Sequence, residues 1–186
     1  MNISRDDAAK ALSEIARTEG RGRELTGYRI AGPILMVWGV IWIIGYAAMG
    51  YLPMSQWGAV WIPADVIGII ASIFMGYRAR CAPGAGAIRG WRTLGYALLI
   101  TVFCGGTFAV LQPADVNGYI AFPGLLTGGI YAAIGLARMP RFMWVGATVI
   151  TFTLMGFYLM PAHLAYWMAA TGGGGLLVSG YLLRRA

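Results

Sequence analysis

The hydrophobic pattern divides most of the chain into six apolar stretches, separated by short polar or basic segments. They cover residues 30–52, 58–77, 93–111, 118–137, 142–160 and 164–183. Each is about 20 residues long, which at about 1.5 Å per residue crosses a hydrocarbon core of about 30 Å as an α-helix. The stretches are continuously apolar rather than alternating, which favours helices over the strands of a membrane β-barrel. The pattern predicts an all-α integral membrane protein with six transmembrane helices.

The basic residues indicate how these helices are oriented. The chain has fourteen Lys and Arg residues. Six lie before the first predicted span, and each of the others follows an even-numbered span or precedes an odd-numbered one. The intervening loops at 53–57, 112–117 and 161–163 contain none. The positive-inside rule therefore places both termini in the cytoplasm and the protein in the inner membrane.

The composition supports a membrane protein and argues against a water-soluble one. Hydrophobic residues make up 59% of the chain and charged residues 11%, whereas soluble domains carry about 25% charged residues. The net charge of +7 is explained by topology, so we expect the lipid bilayer rather than nucleic acid as the partner. Cys81 is expected in a cytoplasmic loop and Cys104 inside the third span, so no disulfide is predicted.

The first 29 residues are the only extended polar segment. Ser4 and Asp7 have the spacing of a capping box, and an apolar stripe follows. We expect an amphipathic cytoplasmic helix over 5–18, ended by Gly20 and Gly22. This helix either docks a partner or lies solvated at the membrane surface.

A short motif recurs at the external ends of the second, fourth and sixth spans. Pro63-Ala64-Asp65 and Pro113-Ala114-Asp115 are identical, and Pro161-Ala162-His163 is a looser copy. A period of about 50 residues is typical of duplication and would divide the chain into three helical hairpins. The favoured alternative is helix-start chemistry, because Pro suits the first helical turn and an acid there is stabilised by the helix dipole.

The two aspartates of this motif have different surroundings. Asp65 has long apolar stretches on both sides, and an ionisable residue inside a membrane is a functional candidate. Alternatively it is a helix-start carboxylate at the interface, with Trp57 and Trp61 marking the headgroup level. Asp115 lies in a polar turn and is expected to be solvated, at an external mouth together with His163. We expect Asp65 to matter more than Asp115.

Small and hydroxyl-bearing residues collect near the middle of several spans. Close helix packing explains most of the glycines, but each glycine in the run Gly172–Gly175 costs about 1 kcal/mol of helix propensity relative to Ala. We therefore predict a kinked or opened sixth span there, facing the third or fourth span across a small cavity. The candidate solute path consists of Asp65, Cys104, Thr107, Thr127, Thr171, Gly172, Gly173, Gly174 and Gly175.

The sequence offers little for catalysis. It contains one His and lacks the common hydrolase, nucleotide-binding and metal-binding motifs. We expect no catalytic residue, metal site or cofactor, and do not expect an enzyme.

Two functions stay open for a chain divided into a cytoplasmic segment, 1–29, and a transmembrane domain, 30–186. The favoured one is a small-solute channel or permease with a glycine- and threonine-rich path at the midplane. The alternative is a non-catalytic accessory or regulatory subunit that docks a membrane or cytoplasmic partner, or a second copy of itself. A tightly packed, unbroken helix at 172–175 with no adjacent cavity would favour the subunit.

Overall fold

The computed structural model describes residues 5–80 and 90–185, and all regular structure within these ranges is helical. The first five helices are α1 (Arg5–Tyr51), α2 (Trp57–Arg80), α3 (Gly90–Leu111), α4 (Val116–Ala137) and α5 (Pro140–Leu159). A sixth helical segment follows, made of α6 (Leu164–Trp167), a π-helix (Met168–Gly173) and α7 (Gly174–Arg184). The expected capping box at Ser4 and the loop that contains Cys81 lie outside the described residues.

The all-α prediction is confirmed, and each predicted apolar stretch falls on one of the six helical segments. Within the described ranges, four stretches are long and apolar enough to cross a membrane: Lys10–Tyr51, Met54–Arg78, Val116–Ala137 and Pro140–Leu159. α3 contains a shorter apolar stretch, Leu98–Leu111. Hydropathy located these helices well because a span must be apolar over its whole length.

The prediction that a short N-terminal helix ends at Gly20 and Gly22 is wrong. α1 is one continuous helix of 47 residues and passes through both glycines. A glycine inside a helix costs only about 1 kcal/mol relative to Ala, and side-chain bonds support the helix here. The Tyr28 hydroxyl donates a hydrogen bond of 2.8 Å to the carboxylate of Glu24, which lies one turn earlier in the helix. The N-terminal segment is therefore a continuous helical extension of the first predicted span.

Two pairs of glycines bring α1 and the sixth helical segment into close contact. Gly32 lies against Gly180, and Gly39 lies against Gly173. A Cβ added at Gly32 would be 2.7 Å from the Gly180 carbonyl oxygen, and one at Gly39 would be 2.8 Å from that of Gly173. The two backbones thus approach as closely as small residues allow in lipid.

α4 and α5 form the other closely packed pair. Gly128 of α4 lies against Gly146 of α5, and Gly135 lies against the backbone at Met143. α2 packs along α1, and the Phe108 ring of α3 meets the Tyr119 ring of α4 with centroids 4.8 Å apart. The closest pairs are thus not those expected from the repeated motif, and the grouping into three hairpins stays a prediction.

The predicted opening of the sixth helical segment at the glycine run is wrong, whereas the predicted kink stays a prediction. The segment stays helical from Leu164 to Arg184, and its departure from α geometry is the π-helix over Met168–Gly173. Gly172 and Gly173 are buried against Trp42 and Ile43 of α1, not turned towards α3 or α4. Close packing accounts for these two glycines, which removes the main sequence argument for a solute path through this segment.

Candidate solute-binding cavity

A cavity of about 390 Å³ lies between α1, α2, α3 and α4; we call it the four-helix cavity. Each helix contributes side chains that are mostly four residues apart, so that they lie on one face of that helix. The lining is mainly aromatic and aliphatic, with one charged side chain, Asp65, among the described residues.

The α1 wall consists of aromatic side chains held in place by neighbouring helices. Trp38, Trp42 and Tyr46 follow one another at intervals of four residues. The Trp38 indole N–H donates to the Ser72 hydroxyl of α2 at 3.1 Å, and the Tyr46 hydroxyl donates to the Ile120 carbonyl of α4 at 3.2 Å. Trp42 meets the Tyr46 ring edge to face, with centroids 5.4 Å apart. These contacts restrict the positions of three rings that line the cavity.

The α2 wall places two indoles on the same face as the carboxylate. Trp57, Trp61 and Asp65 are again four residues apart. The Trp57 indole N–H donates to the Leu52 carbonyl at 3.1 Å. Trp61 lies against Gly45 of α1, where an added Cβ would be 2.6 Å from its ring. The two indoles therefore face the cavity and are not simply markers of the headgroup level.

Asp65 lies well inside α2, so the helix-start interpretation is wrong for this residue. The helix begins at Trp57, and Pro63 is within it. The Asp65 side chain is half-buried, and no hydrogen bond or ion pair to its carboxylate occurs in the described part of the chain. Tyr46 and Cys104 lie within electrostatic range of it. An unpaired carboxylate between apolar walls is costly, as is typical of a functional group.

Asp115 has a different role: the helix-start interpretation is confirmed for this acid, but Pro113 lies before α4 and not in its first turn. It is the N-cap of α4, and its carboxylate accepts a hydrogen bond of 3.0 Å from the Asn117 backbone N–H. Its side chain is exposed, as is that of His163 in the turn before α6. Neither residue lines the four-helix cavity.

The structure brings together three of the predicted path residues: Asp65 from α2, Cys104 from α3 and Thr127 from α4 all line the four-helix cavity. Thr107 instead lines a second cavity of about 290 Å³ between α3, α4 and α5, and its hydroxyl donates to the Phe103 carbonyl at 2.8 Å.

The remaining path residues lie in the sixth helical segment and do not line this cavity. The Thr171 hydroxyl donates to the Trp167 carbonyl at 2.8 Å. A Cβ added at Gly172 would lie 3.1 Å from the Trp42 ring, so Gly172 supports the cavity wall from behind. Gly174 and Gly175 have no such neighbour within 4 Å.

The aromatic walls are the part of the site that the sequence analysis missed. Their signal was present as aromatic residues recurring every fourth position, in Trp38-Trp42-Tyr46 and in Trp57-Trp61. This spacing puts the rings on one helical face. Of the predicted glycines, Gly172 and Gly173 serve helix packing instead.

This arrangement can hold an organic molecule, contact it through ring faces and offer it one negative charge. Pro123 in α4 lacks an N–H, which leaves the Tyr119 carbonyl without its usual helical donor at a turn that lines the cavity. Comparisons of the chain with protein families, with curated proteins and with solved structures find no match.

Proposed function

We propose that the chain is a small-solute channel or permease whose solute occupies the four-helix cavity. The observation that carries this proposal is the half-buried, unpaired Asp65 carboxylate in a cavity otherwise walled by aromatic and aliphatic side chains. Ionisable residues inside membranes are rare and often mark substrate or ion pathways. Mostly apolar cavities with a few polar groups are typical small-molecule sites.

The proposed path differs from the one expected from the sequence. It keeps Asp65, Cys104 and Thr127, and it leaves out the glycine run of the sixth helical segment. That segment supports the α1 wall through Gly172 and no longer forms the path. The cavity between α1, α2, α3 and α4 is therefore the feature that supports transport.

The membrane arrangement belongs to the same proposal. We infer that α3 and the sixth helical segment cross the bilayer in addition to the four spanning stretches, since the 22 residues of α3 would extend over about 33 Å. The placement of every Lys and Arg supports cytoplasmic termini in the inner membrane. Three hairpins would then each begin and end on the cytoplasmic side.

A flux measurement with a matched pair of variants tests the proposal. The purified protein is reconstituted in liposomes, and release of entrapped neutral, cationic and anionic organic solutes is followed. At least one class should leave faster than from protein-free liposomes. Thr127→Trp fills the cavity and should abolish this excess, whereas Ala133→Trp, at an exposed position of the same helix, should keep it. No excess release for any class, or equal loss in both variants, would overturn the proposal.

An accessory or regulatory subunit is the second candidate, favoured by the N-terminal extension of α1 and by the continuous helix in which Gly172 and Gly173 pack closely against α1. Leu12 is 67% exposed and Ile15 is 56% exposed, and both lie on the continuous helix α1. A photocrosslinker at Leu12 tests this function in cells. A single crosslinked partner, together with absent solute flux, would favour the subunit; flux without any crosslinked product would favour the permease.

A further inference from the structure

We propose that the four-helix cavity binds a lipophilic organic cation of the quaternary ammonium or phosphonium type. This inference rests on the proposed function, since it takes this cavity as the solute site, and it adds the chemical class of the solute. Three properties of the lining lead to it: the sign of its charge, the nature of its walls and its size.

The charge of the lining is negative. Asp65 carries it, and no Lys, Arg or His is among the described residues around the cavity. The side-chain donors that could attract an anion are partly engaged elsewhere. The Trp38 and Trp57 indoles and the Tyr46 hydroxyl all donate to protein oxygens. A solute with a positive charge is therefore the one that this electrostatic environment favours.

The walls are suited to a bulky, weakly hydrated cation. Four indoles line the cavity, those of Trp38, Trp42, Trp57 and Trp61, and indole is the aromatic side chain that attracts cations most strongly across its face. Tyr46 adds a fifth ring, and Trp61 meets it edge to face with centroids 5.3 Å apart. Aromatic rings recognise quaternary ammonium groups through cation–π attraction, because such a group has no N–H to donate to a hydrogen-bond acceptor.

A small inorganic cation fits this lining less well. Ca²⁺ takes about six to eight oxygen ligands, whereas the lining offers one carboxylate, the Thr127 hydroxyl and the carbonyl left free by Pro123. The volume of about 390 Å³ lies within the range of about 300–1,000 Å³ that takes drug-sized ligands. The site thus suits one organic cation with a hydrophobic body.

Two probes of the same shape and opposite charge test this inference. Tetraphenylphosphonium and tetraphenylborate are titrated into the full-length protein in detergent while tryptophan fluorescence is recorded. Because four of the seven Trp residues line the cavity, occupancy should change the emission. The phosphonium should bind saturably, at least about tenfold more tightly than the borate. Equal binding of the two probes, or no saturable binding of the phosphonium, would overturn the inference.

A pair of aspartate variants assigns the selectivity to Asp65. Asp65→Asn should weaken phosphonium binding at least about tenfold, because the facing charge is lost at nearly constant shape. Asp115→Asn, at the N-cap outside the cavity, should bind like the wild type. Unchanged binding in Asp65→Asn would overturn the inference. If that variant does not fold, judged by circular dichroism, the comparison of the two probes on the wild type decides.

The flux measurement separates a failure of this inference from a failure of the proposed function. Solute release that Thr127→Trp blocks, without phosphonium binding, refutes the organic cation and keeps the permease. Charge-selective phosphonium binding without release of any solute keeps the cation site and refutes transport.

Discussion

The two copies of Pro-Ala-Asp have the same sequence, but one lies inside a helix and the other lies just before a helix. Asp65 lies inside α2, half-buried and facing the four-helix cavity. Asp115 lies before α4, exposed, and caps the helix through the Asn117 N–H. The Asp65 carboxylate lacks a hydrogen bond or ion pair within the described residues. The Asp115 carboxylate accepts a hydrogen bond from a backbone N–H at the start of a helix. The tripeptide alone therefore does not determine what its aspartate does.

The residues before each copy explain the difference. An apolar helical turn that includes Trp57 and Trp61 precedes Pro63, so the chain is already helical when it reaches the proline. Gln112 precedes Pro113 with a φ of 40°, a left-handed conformation that ends α3. The aspartate of this motif can cap a helix only where the preceding helix has already ended.

The largest expected effect is a functional contrast between the two aspartates. In the liposome assay, Asp65→Asn should reduce the flux of an organic cation at least about tenfold, because the cavity loses its charge. Asp115→Asn should reduce it less than about twofold, because Asn is also a good N-cap residue. Equal losses in the two variants would mean that the position of Asp65 in the cavity has no functional meaning.

A smaller effect is expected from moving one wall of the cavity without touching the carboxylate. Gly45→Ala places a Cβ 2.6 Å from the Trp61 ring, so the indole must shift towards the cavity. We expect the affinity for tetraphenylphosphonium to fall by about three- to tenfold, since a displaced ring loses part of its cation–π attraction. Gly105→Ala is the control, because nothing lies within 4 Å of its added Cβ. Equal affinities in the two variants would exclude Trp61 from the site.

The smallest expected effect concerns the free energy of unfolding, for which Asp115 should matter more than Asp65. Asp115→Ala should lower the free energy of unfolding by about 1 kcal/mol, because the N-cap bond is lost. Asp65→Ala should leave it unchanged or raise it, because an uncompensated carboxylate between apolar walls is destabilising. Thermal unfolding in detergent, followed by circular dichroism, measures both. A larger loss for Asp65→Ala would indicate that Asp65 stabilises the fold through a contact of its own.

The helices were predictable from the sequence, whereas the site was predictable only in part. The spans were found because lipid requires a continuous apolar stretch. The rotation of each helix about its axis was not predictable, because its exposed side and its buried side are both apolar. Asp65 could be identified from its charge. Which aromatic side chains surround it could not be predicted, because this depends on the rotation of each helix.

The glycine run shows a second limit of sequence reasoning. Its propensity cost applies only while the segment stays helical, so it favours opening unless packing contacts offset it. Only the partner decides, and here α1 presents Trp42 and Ile43 to Gly172 and Gly173. The matched pairs Gly32–Gly180 and Gly39–Gly173 were visible as equal spacings in the first and sixth spans, but nothing in one sequence shows that these two spans are neighbours.

The most direct test of the central claim is the charge selectivity of thiol labelling at Cys104, which lines the cavity with Asp65. Cys81→Ala leaves Cys104 as the only cysteine. Its reaction rates with trimethylammonioethyl and sulfonatoethyl methanethiosulfonate are compared, each relative to a free thiol in solution. We predict that the cationic reagent is favoured at least about tenfold, that Asp65→Asn removes this preference and that Asp115→Asn keeps it. An equal preference with and without the Asp65 carboxylate, or no reaction with either reagent, would contradict the account.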